Sequence, residues 1–161
     1  MTREILLAVT IAIGVALLVL MIVGWAARRR RDADLPELPP APAALEDARA
    51  FPGKYVATTR AGEPLERVAA RGLAFRGPAT AFVDERGVLI RRAGERDVWI
   101  ERAAMRGLGR ATWTIDRVVE RDGLHVVRWA LGERELDTYL RLDEPAAFDA
   151  VIAPMRLEEI S

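Results

Sequence analysis

Leu124-His125-Val126-Val127-Arg128-Trp129-Ala130, a Gly132-Glu133 turn, and Leu136-Asp137-Thr138-Tyr139-Leu140-Arg141-Leu142 decide the reading of this chain. Both runs are rich in β-branched and aromatic residues, and glycine punctuates them, so they read as paired strands. Alternation puts His125, Val127 and Trp129 on one face of the first run. The pattern then changes. Asp143 can cap a helix, Pro145 suits its first turn, and Phe148, Val151, Ile152 and Met155 follow helical spacing, with Pro154 near the end.

Working back from this pair, short β-like runs recur at Lys54–Thr59, Ala79–Val83, Val88–Arg92, Val98–Glu101 and Ala111–Val119. Asp122-Gly123 is the strongest hairpin signal in the chain. Gly107-x-Gly109 reads as a turn, and one helical turn is expected around Leu65–Ala70 within the longer first loop. That makes seven antiparallel strands and one short amphipathic helix. Such a helix must bury its apolar face, so the economical arrangement is mainly β: two bent sheets or a partly open barrel, capped by the C-terminal helix.

The N-terminus is unlike the rest. Ile5 to Trp25 is a run of 21 residues without a charge, about 31 Å as a helix, which matches a bilayer core. The run is longer than a signal-peptide core, and the basic cluster Arg28, Arg29, Arg30 and Arg31 follows it. The expectation is a single-pass anchor in the inner (cytoplasmic) membrane, N-terminus out and C-terminal domain cytoplasmic. Trp25 and the four arginines would then lie at the membrane interface. Ala8, Ala12 and Ala16 recur every four residues, a spacing that permits weak homo-association. Residues 32–50 hold Pro36, Pro39, Pro40, Pro42 and five acidic side chains against Arg49, and read as an acidic spacer. The domain plan is therefore an anchor over 1–31, a linker over 32–50 and a β domain over 51–161.

Composition removes several chemistries. Cysteine is absent, His125 is the single histidine, and Ser161 is the single serine. That excludes cysteine-ligated zinc, thiol and serine nucleophiles, and an all-histidine metal cluster. Zero formal net charge gives no basic footprint for nucleic acid. No catalytic, cofactor or metal residue is expected. His125 reads as a surface or half-buried strand histidine. Glu133, Glu135 and Asp137 read as a solvated face, with a cation site as the sharper alternative. Trp99, Trp113 and Trp129 read as packing residues.

Gly53-Lys54-Tyr55-Val56-Ala57-Thr58-Thr59, Gly72-Leu73-Ala74-Phe75-Arg76-Gly77, Ala111-Thr112-Trp113-Thr114-Ile115-Asp116-Arg117 and Asp137-Thr138-Tyr139-Leu140 resemble a group of actinobacterial single-pass membrane proteins. These carry a bacterial pleckstrin-homology-like (PH-like) domain, and some are labelled transporter or export protein. The resemblance implies the seven-strand-plus-helix PH superfold and brings no catalytic residues with it. One uncharged helix cannot hold a transporter's midplane site, so an accessory role is the furthest that label reaches. PH domains that bind inositol phosphates gather basic side chains from the first strands and their loop. Here Lys54, Arg60, Arg67, Arg71 and Arg76 occupy that region, and Arg91, Arg92 and Arg96 flank the next hairpin. Glu63 and Glu66 interrupt the first group. The expected function is a non-catalytic protein-interaction module beside the membrane, with an unidentified protein partner. The alternative is binding of an anionic lipid headgroup or a small anionic metabolite.

Overall fold

The computed structural model of the chain describes residues 2–32, 34–111, 113–114, 117–118, 123–155 and 158–160. It divides into two compact units, 1–34 and 35–161. The first is helix α1 (Thr2–Arg31). Its large apolar side chains, Ile5 through Val23, are all at least half exposed, and the apolar span Arg3–Ala27 buries nothing within the protein. A helix apolar on every side and of this length is compatible with a single-pass membrane anchor. Trp25 is exposed at its C-terminal end. The side chains of Arg28, Arg29, Arg30 and Arg31 lie outside the described part of the structure.

The second unit is built on β1 (Arg49–Arg60), a twelve-residue strand that three partners share. Its first half pairs with β3 (Gly77–Asp84), and its second half pairs with β10 (Arg134–Leu142) and the short β2 (Glu63–Arg67). From β3 the sheet continues through β4 (Gly87–Arg92) to β5 (Val98–Glu101). From β10 it continues through β9 (Leu124–Leu131) and β6 (Met105–Ala111) to β11 (Glu158–Ile160). All pairings are antiparallel except β11 on β6. A register shift between Tyr55 and Ala57 marks an irregularity in β1. Bulges of this kind bend a strand and let one sheet curl over its own core. The β9–β10 turn is the two-residue Gly132-Glu133, with Gly132 at φ 62°, the sign a type II′ hairpin requires at its first position.

The main core gathers Phe51, Tyr55, Ile90, Trp129, Leu136 and Leu140 with aliphatic neighbours from most strands. Helix α2 (Pro145–Ile152), extended by a 3-10 turn over Ala153–Met155, closes it with Phe148, Ile152 and Met155. The Phe148 ring meets Phe51 edge-on at 5.3 Å. The helix is capped at Glu144 rather than Asp143, with Pro145 at its first position. A smaller cluster of Val56, Ala57, Leu124, Val126 and Tyr139 forms separately.

Three local expectations differ from the structure. The strand expected at Ala111–Val119 runs at Met105–Ala111 instead. Gly107 and Gly109 are strand residues rather than a turn, and the pairing with β9 shifts register between Met105 and Gly107. Glycine inside a strand often marks such an irregularity. Beyond β6, the short pair β7 (Trp113–Thr114) and β8 (Arg117–Val118) stands apart. Asp122, and with it the Asp122-Gly123 hairpin, lies outside the described residues. The helical turn expected near Leu65 is the strand β2.

The spacer reading also gives way. Residues from Leu35 onward belong to the folded unit, and Leu35 and Leu38 are buried in the main core at 2% and 6% exposure. Two leucines removed from water contribute roughly 3–6 kcal/mol together, which offsets the cost of ordering a short extended segment.

Candidate functional site

The basic residues of the first loop do not converge on one pocket. Lys54 lies on β1 opposite Pro78 and Arg141, and all three are exposed. Arg60 ends β1, half-buried. Arg67 turns inward and donates from Nη2 to the Val56 carbonyl at 2.8 Å. Arg76 is exposed beside Phe75, itself 60% exposed.

Arg71 is committed elsewhere. Its backbone is left-handed at φ 58°, a conformation that costs a non-glycine residue energy and is kept only where surrounding contacts hold it. Its Nε and Nη2 both donate to the Leu35 carbonyl, at 3.0 and 2.7 Å. Its Nη1 pairs with Glu37 Oε1 at 2.8 Å. The other Glu37 oxygen takes Arg96 Nη1 at 3.0 Å. One carboxylate on residues 35–38 thus bridges a loop before β3 and the turn after β4. Pro36 rests against Gly132, where a Cβ would collide with its ring. The sequence held a signal for this: leucines at positions 35 and 38 have no role in a solvated spacer.

Arg92, expected on the hairpin surface, is 5% exposed. Its guanidinium lies over the Tyr55 ring at 4.8 Å and donates to the carbonyls of Gly72 and Arg96. Beneath it runs a buried polar chain. Trp129 Nε1 donates to Thr138 Oγ1 at 2.9 Å, and Thr138 Oγ1 lies 2.8 Å from Thr58 Oγ1. Thr58 Oγ1 lies 2.7 Å from the Tyr55 hydroxyl, which reaches the Leu73 carbonyl at 3.0 Å. A carbonyl only accepts, so the tyrosine proton goes to Leu73, and each threonine hydroxyl donates to the next oxygen along. Burial pushes the Tyr55 phenol up to about 12, which keeps it neutral and donating.

Ion pairs on β9 and β10 extend the polar interior. Asp137, expected on a solvated face, is 2% exposed. Arg128 grips it with Nε at 2.7 Å and Nη2 at 2.8 Å, and the Gly62 amide adds a bond at 3.0 Å. Glu133 and Glu135 remain exposed. His125 is buried rather than on the surface, its ring edge-on to Phe148 at 4.8 Å. Its Nε2 lies 2.9 Å from both Arg110 Nη1 and Asp149 Oδ1. A neutral ring serves one of them at a time: it accepts from Arg110 or donates to Asp149. Burial first, and then Arg110, hold His125 below the ordinary histidine value despite Asp149. Trp99 and Trp129 are buried; the Trp113 side chain lies outside the described residues.

Among the described residues, two of the open grooves are wide enough to consider for a ligand. One of about 690 Å³ is walled by Glu46, Asp47, Arg49, Arg86, Arg102 and Met155, among others. The other, about 780 Å³, is lined by Pro40, Pro42, Trp99, Arg86, Glu101 and Arg102. Both mix charges of either sign, so neither offers a concentrated field to a phosphate.

A search of the curated proteins found no match. The strand order, with the helix closing the core, and the start of the fold at Leu35 agree with what the family comparison finds: residues 35–156 match the bacterial PH domain-like family, and the chain belongs to it.

Proposed function

We propose that the chain is a membrane-anchored, non-catalytic protein-interaction module that serves as an accessory to a membrane complex or export system. The anchor is α1, in the inner (cytoplasmic) membrane. The cytoplasmic side carries Arg28–Arg31 and the PH-like domain, and the N-terminus faces out. The observation that carries this reading is the use of the first-loop arginines. Arg71 and Arg67 bind the chain's own carbonyls and Glu37, so the loop presents a shaped polypeptide surface rather than a vacant basic pocket. The Ala8, Ala12 and Ala16 face of α1 supports weak self-association.

The test is affinity co-purification of the tagged full chain from native membranes, with the anchor alone (residues 1–34) as control. A partner enriched only by the full chain is the expected result. Its absence under gentle extraction overturns the reading. A reporter fused after Ser161 tests the topology, and activity confined to the extracytoplasmic side reverses it.

A second reading, binding of an anionic lipid headgroup or small anionic metabolite, has its own observation. Lys54 and Arg141 are exposed cross-strand neighbours, and Phe75 and Arg76 are exposed just before Pro78, the partner of Lys54 on β3. Lys54→Glu with Arg76→Glu should abolish flotation with anionic vesicles on this reading. Unchanged flotation refutes it.

A further inference from the structure

Residues 35–38 are held as a bound peptide is held. They form neither helix nor strand, and side chains grip them. In an extended polyproline-like conformation, with three residues per turn, positions 35 and 38 fall on the same side. Both leucines there are buried in the core. Between them, the Arg71 fork clamps the Leu35 main-chain carbonyl, and Arg71 and Arg96 divide the two oxygens of Glu37. Downstream, Leu38, Pro39, Pro40 and Ala41 run past Arg96 and Asp97, and Pro40 and Pro42 reach the groove beside Trp99.

We infer that this surface is a peptide-binding site occupied in cis, and that it takes an extended, proline-flanked peptide of the pattern Leu-x-acid-Leu. The inference rests on the protein-interaction reading and names its site and ligand class. The apolar sockets supply affinity. The arginine pair supplies specificity rather than energy, since the Glu37 side chain is 68% exposed and exposed pairs contribute little. Ten residues, 39–48, join the segment to β1, so the tethered copy is present at an effective concentration on the order of millimolar. A partner peptide must displace it, which makes the segment a built-in competitor.

The test uses the full chain in detergent and a fluorescent peptide copying residues 34–43. The wild-type chain should bind it weakly. Leu35→Ser with Leu38→Ser should vacate the site and tighten binding at least tenfold. Peptides lacking their own leucines, or with glutamate reversed to lysine, should lose that gain. A folded double variant without saturable binding, or with binding indifferent to the peptide's leucines, overturns the inference.

If the double variant does not fold, a protease site placed between Ala44 and Leu45 of the wild-type chain replaces it. After cleavage, exchange of the freed segment for labelled peptide supports the site, and refusal to exchange overturns it. The same peptide added during co-purification separates this inference from the broader reading. A domain-dependent partner that the peptide does not displace overturns the site and leaves the module. Peptide binding without any cellular partner does the reverse.

Discussion

Replacing Thr138 by valine tests the buried polar chain that organises the core. Valine keeps the shape and removes one hydroxyl. Thr138 is fully buried, and its Oγ1 accepts from Trp129 at 2.9 Å and meets Thr58 at 2.8 Å. The Trp129 N–H would be left without an acceptor at 1% exposure, which costs about 1–3 kcal/mol. Thr58 retains Tyr55 as a partner, so its loss is a single bond, about 1 kcal/mol. The sum is about 2–4 kcal/mol. Thr138→Ser keeps the hydroxyl and loses a methyl, roughly 1 kcal/mol. Denaturant unfolding of the full chain in detergent, followed by tryptophan fluorescence, gives both values from the midpoints at constant slope. The order valine worse than serine is opposite to what hydrophobicity alone dictates. If valine proves equal to wild type, or milder than serine, the hydrogen-bonded chain contributes nothing and the reasoning fails.

Other outcomes follow from the same geometry. Arg128→Met strands the Asp137 carboxylate at 2% exposure. The expected loss is about 2–3 kcal/mol, below the full cost for a buried pair because Arg128 is partly exposed, and adding Asp137→Leu should recover part of it. His125 has a folded-state value below the unfolded one, so the unfolded chain binds more protons, and stability should fall as pH drops below about 6.5. It is the only histidine, so a His125→Phe chain should show a visibly flatter stability profile between pH 8 and 5; an identical slope refutes the assignment. Leu35→Ala should cost about 2–3 kcal/mol in the same unfolding assay, where a true spacer residue would move stability by less than about 0.5 kcal/mol.

The sequence by itself determined the elements whose evidence is local. The apolar run Ile5–Trp25 announces a long apolar helix compatible with a membrane anchor, because the length and the absence of charge are properties of contiguous residues. The β9–β10 pair was readable for the same reason: its turn sits between two alternating runs, and neighbours in sequence become neighbours in space. Helix α2 showed its buried face in the spacing of Phe148, Ile152 and Met155.

Only the tertiary structure decided what depends on distant partners. Gly107 is a strand residue because β9 lies beside it, and nothing in its own neighbourhood separates that role from a turn. Asp137 is buried because Arg128 and the Gly62 amide reach it; alternation along β10 gives only its face. Arg71 looked like a ligand-binding cation until Leu35 and Glu37, more than thirty residues away, took up its donors. Proline and acidic residues around positions 35–38 speak locally for solvent, and two leucines filling sockets made by remote strands overrule them. Local pattern sets which conformations a segment can adopt, while burial and pairing, which a linear chain does not display, choose among them.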